Sequence, residues 1–319
     1  MKAVRFHEYG DESVLQVDEV DRPEATGHDV VVEVAGAGVN PVDTYFREGA
    51  YEPFQLPMIP GVDVAGEVVA VSEYVDDYAV GDRVVGTGLS MNHLGAYAEY
   101  AAVPEDRLAQ LPESVDPVAA GGAGVAAVTA WRALVDHAGL EPAESVLVHG
   151  GSGGVGHAAV QLAAATGAHV VTTAAPTYHD RLEALGADAV FDYASEDLAD
   201  RVVDETGGVD VVLDHRLDDY LQFDADVAAT GARVVGIGEN DPAVGFSNDG
   251  VARSKDVSYQ FMSMFNTPRL AEPLARVAYL MGEGDLAIDV ARTYDLDEAA
   301  DAQVDVMAES FFGKLVITP

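Results

Sequence analysis

One stretch, Val146-Leu-Val-His-Gly-Gly-Ser-Gly-Gly-Val-Gly-His-Ala-Ala-Val-Gln-Leu-Ala-Ala-Ala-Thr-Gly-Ala-His-Val-Val-Thr-Thr173, constrains the fold more than any other. It reads as a buried strand, a glycine-rich turn, an amphipathic helix and a second buried strand. Gly151, Gly153 and Gly156 stand at G-x-G-x-x-G spacing, and Gly150, Gly153 and Gly156 also fit G-x-x-G-x-x-G. In a βαβ unit such glycines allow a tight turn, close backbone approach to a pyrophosphate and close helix–strand packing. The helix start then offers unpaired N–H groups and a positive dipole end to phosphates. Apolar Val146, Leu147 and Val148 precede the turn, and Val155, Ala159, Leu162 and Ala163 recur at helical spacing after it. The rival phosphate motif fails, because His157-Ala158 follow Gly156 in place of Lys-Ser or Lys-Thr. A dinucleotide-binding segment is expected.

Charge sets the next limit. The 319 residues carry 55 acidic side chains against 17 basic ones, a net charge of −38, and lysine occurs only at Lys2, Lys255 and Lys314. The acids are scattered through a chain that is 49% hydrophobic, so they belong to a folded surface and not to an acidic tail. Such a surface repels itself where the Debye length is about 30 Å, near 0.01 M salt, and far less where it is about 3 Å, near 1 M. A salt-adapted protein of a salt-rich cytoplasm is the reading, and nucleic acid and anionic membranes are poor partners. With no cysteine, disulfides and thiolate-bound zinc are excluded. The opening Met1-Lys-Ala-Val-Arg-Phe-His-Glu lacks the apolar core of a signal peptide. The longest apolar stretch, Val118 to Val135, is mostly Ala and Gly, contains Arg132, and is too weak to span a bilayer.

Residues 1–118 are β-rich, with Val runs broken by turns such as Gly81-Asp82. From 119 to 258, strands expected at 146–149, 169–173, 189–191, 210–213 and 233–237 alternate with helices, which means an α/β parallel sheet. Residues 259–319 show a strand from Ser258 to Phe265, helices at Arg269–Met281 and Leu296–Ala308, and a last strand Lys314–Thr318. The dinucleotide-binding domain therefore sits inside a chain whose two ends build a second, β-rich domain together.

Several further motifs occur in a recognisable order: Gly38-Val-Asn-Pro-Val-Asp-Thr-Tyr-Phe-Arg-Glu-Gly-Ala-Tyr51, Ile59-Pro-Gly-Val-Asp-Val-Ala-Gly66, Gly81-Asp-Arg-Val84, Gly95-Ala-Tyr-Ala-Glu-Tyr-Ala101, Leu185-Gly-Ala-Asp188 and Gly313-Lys314. Together with the glycine-rich turn they resemble the zinc-free quinone oxidoreductases, the zeta-crystallin-like group of the medium-chain dehydrogenase/reductase superfamily. The resemblance implies a Rossmann coenzyme domain, a GroES-like substrate domain from both termini, a homodimer or tetramer, and NADPH as reductant. Zinc-dependent relatives have a Cys near Asn40 and a His-Glu pair where this chain has Val62-Asp63, so no metal is expected.

Without a Lewis acid, an acceptor that delocalises incoming charge is favoured, a quinone or an α,β-unsaturated carbonyl. Hydride addition would leave an enolate-like oxygen for hydrogen-bond donors to stabilise, and Tyr51, Tyr45 and Asn40 are the donors of the signature. The resemblance puts Asn40 and Thr129 near the nicotinamide and its ribose, and Ser152, Gly153, Gly154 and Val155 at the phosphates. It puts Tyr193 near the adenine, with Gly238, Met264 and Phe265 at the nicotinamide end. An NAD site wants an acid at the end of the second strand. Here Thr172-Thr-Ala-Ala-Pro-Thr-Tyr-His reaches none before Asp180, which favours NADP, with Arg181 or His179 as the cation for its 2′-phosphate. The segment Leu213 to Asp219 departs from the family's small glycine-containing turn, and its His215 and Arg216 either touch the cofactor or lie at the surface, the second reading being favoured. An enoyl or acryloyl thioester reductase of the same fold, or a non-catalytic NADPH-binding sensor, are the alternative functions.

Overall fold

The five strands expected in the coenzyme domain, and a sixth expected in the closing segment, form one parallel sheet. They are β1 (Ser145–Val148), β2 (His169–Thr173), β3 (Ala189–Phe191), β4 (Val209–Asp214), β5 (Ala228–Gly236) and β6 (Ser258–Phe261). Their spatial order is 3-2-1-4-5-6 with every neighbouring pair parallel, the order of a dinucleotide-binding Rossmann sheet. On one face Leu147, Val171, Val212 and Val234 join Leu198 and Val202 of the helix Leu198–Thr206 in a single apolar cluster. Helix α1 (Gly154–Thr166) crosses from β1 to β2 and buries a run of small side chains, Ala158, Ala159, Val160 and Ala163. It stops at Gly167, whose φ of 86° is open to glycine at little cost.

The computed structural model describes residues 1–53, 55–308 and 310–319. This sheet and its helices belong to one unit, residues 129–266, and the rest of the chain, 1–128 with 267–319, forms the other. These limits fall later than 118 and 258. The helix Pro117–Gly121 belongs with the first unit because Gly121 and Gly36 meet there backbone to backbone, where a Cβ on Gly121 would stand 2.5 Å from the Gly36 carbonyl oxygen.

The first unit is built on a seven-stranded sheet. From one edge its strands run Val290–Tyr294, Lys314–Ile317, Asp29–Val39, Val64–Val71, Arg83–Gly86 and Leu108–Gln110, and Tyr100–Pro104 also pairs with Asp29–Val39. The last strand joins the long one antiparallel, with Leu315 opposite Val39 and Ile317 opposite Ala37, so the two ends of the chain share one sheet. Val30, Val32, Val64, Val68, Val103, Leu315 and Ile317 form its core.

Local differences from the expectations have local causes. Strand β6 ends at Phe261, and Met264–Asn266 is a 3-10 turn and not the end of a strand. Strand β5 starts earlier than residue 233, at Ala228, through a register shift against β4. The apolar stretch from Val118 breaks into Pro117–Gly121, Gly124–Trp131 and a π-helical turn Arg132–His137, in which buried Arg132 donates to the Ser263 carbonyl (2.6 Å). Among the described residues no helix is long and apolar enough to cross a membrane.

Among the described residues, the carboxyl groups that are buried are those of Asp43, Asp63, Asp214 and Asp224. The rest of the negative charge therefore lies at or near the surface, where salt screens it. Raising KCl from millimolar to molar should increase Tm by about 10 °C or more. A Tm independent of salt, followed by circular dichroism, would contradict that reading of the surface.

Candidate active site

The glycine-rich turn continues β1 without a break. His149 N–H donates to the Leu213 carbonyl (3.0 Å), keeping the chain beside β4 for one more residue. Gly150 then takes φ 67°, and its N–H donates to Thr173 Oγ1 (3.1 Å). Gly151 N–H donates to the Thr173 carbonyl (2.8 Å) and Gly153 N–H to the Gly150 carbonyl (3.0 Å). Two glycines here are required by crowding. A Cβ on Gly151 would lie 2.2 Å from Thr172 Oγ1, and one on Gly156 would lie 2.1 Å from the Gly150 carbonyl oxygen. Gly153 is open by contrast, with that same oxygen 3.4 Å away as its nearest neighbour. The first turn of α1 is thus drawn onto the end of β1, while Ser152 to Val155 stay partly accessible. The N–H groups of Gly154 and Val155 open the helix and have no intrahelical acceptor, so they and the dipole suit a phosphate. This is a cradle that fits a pyrophosphate. At the end of β2, Thr172 and Thr173 are buried, and the acid–base pair Asp180 and Arg181 lies exposed on the helix His179–Ala184.

Beside this turn three titratable side chains are enclosed. His149 Nε2 is 2.9 Å from Asp224 Oδ1 and neither side chain reaches solvent. Tyr220 stacks on the imidazole at 4.2 Å, nearly parallel, and Phe223 meets it edge-on. Burial pushes the His149 imidazole down to about 4 and the Asp214 carboxyl up to about 7, and it raises Asp224 as well. Asp214 Oδ1 accepts from Arg216 N–H (2.7 Å). The group is a neutral polar network tying β1 and β4 to the helix Leu217–Val227.

The first unit holds a second buried network, centred on Asp63. Its Oδ1 accepts from Thr87 Oγ1 (2.6 Å) and Val125 N–H (2.8 Å), and its Oδ2 from Asn40 Nδ2 (2.8 Å). Lys314 Nζ donates to Asn40 Oδ1 (2.5 Å) and to the Val39 carbonyl (2.7 Å). Burial raises the Asp63 carboxyl and lowers the Lys314 ammonium, while each group's charge opposes the shift of the other. Asp43 accepts from Asn40 N–H (2.9 Å), Val62 N–H (3.1 Å) and the Tyr97 hydroxyl (3.0 Å), and burial still pushes it up to about 7.

Of the residues singled out in the sequence, Asn40, Tyr45 and Tyr51 lie in this unit. Asn40 is buried at the start of the helix Pro41–Glu48, and its Nδ2 also donates to the Gly38 carbonyl (3.3 Å). Its amide is engaged inside the protein on both sides, unlike the free donor expected. Tyr51 is 50% exposed, its ring 6.1 Å from that of Tyr45 and 5.8 Å from buried Phe46. In the other unit, Ser152, Gly153, Gly154 and Val155 come together at the cradle. Thr129 is buried in the helix Gly124–Trp131, and Tyr193 is half exposed just after β3. Gly238 accepts from Leu217 N–H (3.1 Å) just past β5, and Met264 is buried in the turn Met264–Asn266 beside half-buried Phe265. The His149–Asp224–Asp214 network escaped the sequence reading, because its members are 75 residues apart and only the pairing of β1 with β4 joins them.

A Rossmann sheet with this cradle, inserted in a chain whose ends share a β-rich unit, defines a medium-chain dehydrogenase/reductase. Family models agree: "Alcohol dehydrogenase GroES-like domain" matches residues 26–113 and "Zinc-binding dehydrogenase" residues 185–317. A quinone oxidoreductase of Lama guanicoe is 34% identical over 99% of this chain and 97% of its own length. Among solved structures, an NAD-dependent alcohol dehydrogenase (28% identity, TM-score 0.91) and the Escherichia coli quinone oxidoreductase complexed with NADPH (29%, 0.88) each match over 100% of both chains. The chain belongs to the quinone-oxidoreductase-like family of this superfamily, and is an oxidoreductase.

One of those descriptions implies zinc, and the residues do not fit it. The groups converging on Asp63 are an amide, a hydroxyl and a backbone N–H, with the Lys314 ammonium bonded to the same amide. Among the described residues no group of three or more His, Cys, Asp or Glu side chains is arranged to hold a metal ion.

Replacing His149 by Ala leaves Asp224 buried without its imidazole partner. The expected cost is about 1–3 kcal/mol of stability, that of a buried polar group left without its hydrogen-bond partner, read from urea unfolding in molar KCl. A loss below about 1 kcal/mol, the scale of an exposed pair, would mean the network contributes nothing structural.

Proposed function

We propose that the protein is a zinc-independent, NADPH-dependent reductase that delivers hydride to a quinone or an α,β-unsaturated carbonyl. The observation that carries this is the network at Asp63. Where related enzymes need metal ligands this chain has donors and an ammonium, so no Lewis acid polarises the acceptor. An acceptor able to spread the incoming charge over a conjugated system suits such a site.

The bound reduced nicotinamide supplies the hydride. Ser152, Gly153, Gly154 and Val155 hold the pyrophosphate through backbone N–H groups and the dipole of α1. The lack of a carboxylate at the end of β2 leaves the 2′-phosphate unopposed, with Arg181 as its cation. In this reading Tyr193 lines the adenine, and Thr129, Gly238, Met264 and Phe265 line the nicotinamide end. Tyr51, the more exposed of the two signature tyrosines, donates its hydroxyl to the oxygen that becomes enolate-like, with Tyr45 beside it. Asn40 positions the start of its helix through Asp63 and Lys314 and is not itself a donor to the acceptor. The acidic surface fits a salt-rich cytoplasm, and the family resemblance suggests a homodimer or tetramer.

Tyr51→Phe should lower kcat/KM for the acceptor about tenfold, equivalent to about 1.4 kcal/mol of transition-state stabilisation. Unchanged kinetics would make the tyrosine a packing residue. Dialysis against EDTA should leave turnover intact, and a loss that zinc restores would overturn the metal-free reading.

A further inference from the structure

The residue after β4 has a place that its sequence context hides. His215 follows Asp214 at the C-terminal end of β4, and Gly150 lies at the same end of β1. These strands are neighbours where the sheet order reverses, and open parallel sheets bind ligands in the crevice outside such strand ends. The imidazole lies directly on Gly150. A Cβ there would be 2.6 Å from Cε1, 3.1 Å from Nε2 and 3.2 Å from Nδ1, so His215 itself demands a glycine at 150.

The turn that carries His215 is pinned from two sides. Asp214 accepts from Arg216 N–H (2.7 Å), while Ile237 N–H donates to the Asp214 carbonyl (2.8 Å) and Leu217 N–H to the Gly238 carbonyl (3.1 Å). The His149 backbone lies beside the ring as an acceptor for one of its nitrogens, and the residue remains exposed, so the other nitrogen is offered as a hydrogen-bond acceptor for a ligand. Its basic neighbours are already answered, Arg216 by Asp219 and His149 by Asp224. An imidazole packed directly on a phosphate-binding turn calls for a function.

We propose that His215 is a cofactor-binding residue, its remaining ring nitrogen accepting a hydrogen bond from a hydroxyl of the ribose on the nicotinamide side of the dinucleotide. This rests on the cofactor reading above and gives that site a side-chain contact beyond the backbone cradle. The 2′,5′-bisphosphate of adenosine carries the adenosine end of NADPH but neither the pyrophosphate bridge nor the second ribose, so the two ligands separate the halves of the site.

Dissociation constants for both ligands, measured by fluorescence and calorimetry in molar KCl, test this with wild type, His215→Ala and His215→Gln. The alanine variant should bind NADPH about tenfold more weakly and the bisphosphate within about twofold of wild type. The glutamine variant, which keeps a hydrogen-bonding end, should bind NADPH more tightly than the alanine variant. Equal NADPH affinity in wild type and alanine variant overturns the proposal. Equal weakening of both ligands also overturns it, since that marks a loosened turn and not a lost contact. Failure of the wild type to bind either ligand overturns the cofactor reading itself, and this proposal with it.

Discussion

Helix α1 can begin where it does only because position 156 has no side chain. The Gly150 carbonyl oxygen would stand 2.1 Å from a Cβ there, so any larger residue pushes the helix off the strand. That contact sets how near the N-terminus of α1 comes to the end of β1, and hence where its unpaired N–H groups stand. Gly151 against Thr172 secures the same turn from β2. His149, one residue before the turn, anchors it to β4 and Asp224. The crevice at the reversal of strand order is therefore shaped by missing methyl groups on one side and a buried neutral network on the other.

The first unit solves a different problem, the burial of several ionisable groups in one place. Asp63 remains tolerable there because an amide, a hydroxyl and a backbone N–H all point at it. Two glycines make room for it. A Cβ on Gly124 would meet Asp63 Oδ1 at 2.2 Å, and one on Gly38 would meet Asp63 Oδ2 at 2.8 Å. Lys314 then brings the end of the chain to the same network, 274 residues from Asn40. The motifs Ile59 to Gly66 and Gly313-Lys314 are thus halves of one arrangement, and the closing strand is held by charge as well as by its pairing with Asp29–Val39.

Much of the fold was legible because its signals are local. Val146 to Thr173 contains a strand period, a turn and a helix period in sequence, and the structure realises all of them within a residue or two. What resisted reading depends on contacts across the chain. No local pattern announces that Asn40 has its amide engaged by Asp63 and Lys314, or that His149 meets Asp224. His215 read as surface, and by exposure it is; its seat on Gly150 follows only from the adjacency of β1 and β4. The apolar run ending at Phe265 read as strand, but pairing with β5 stops at Phe261 and the chain turns.

In the function proposed above, the glycine cradle and a metal-free acceptor site together make a quinone or enone reductase. The most direct measurement is oxidation of NADPH and of NADH in molar KCl, with 9,10-phenanthrenequinone and a simple enone as acceptors. Turnover with at least one acceptor and a clear preference for NADPH are expected. Tight binding of NADPH without turnover of either acceptor would contradict that function.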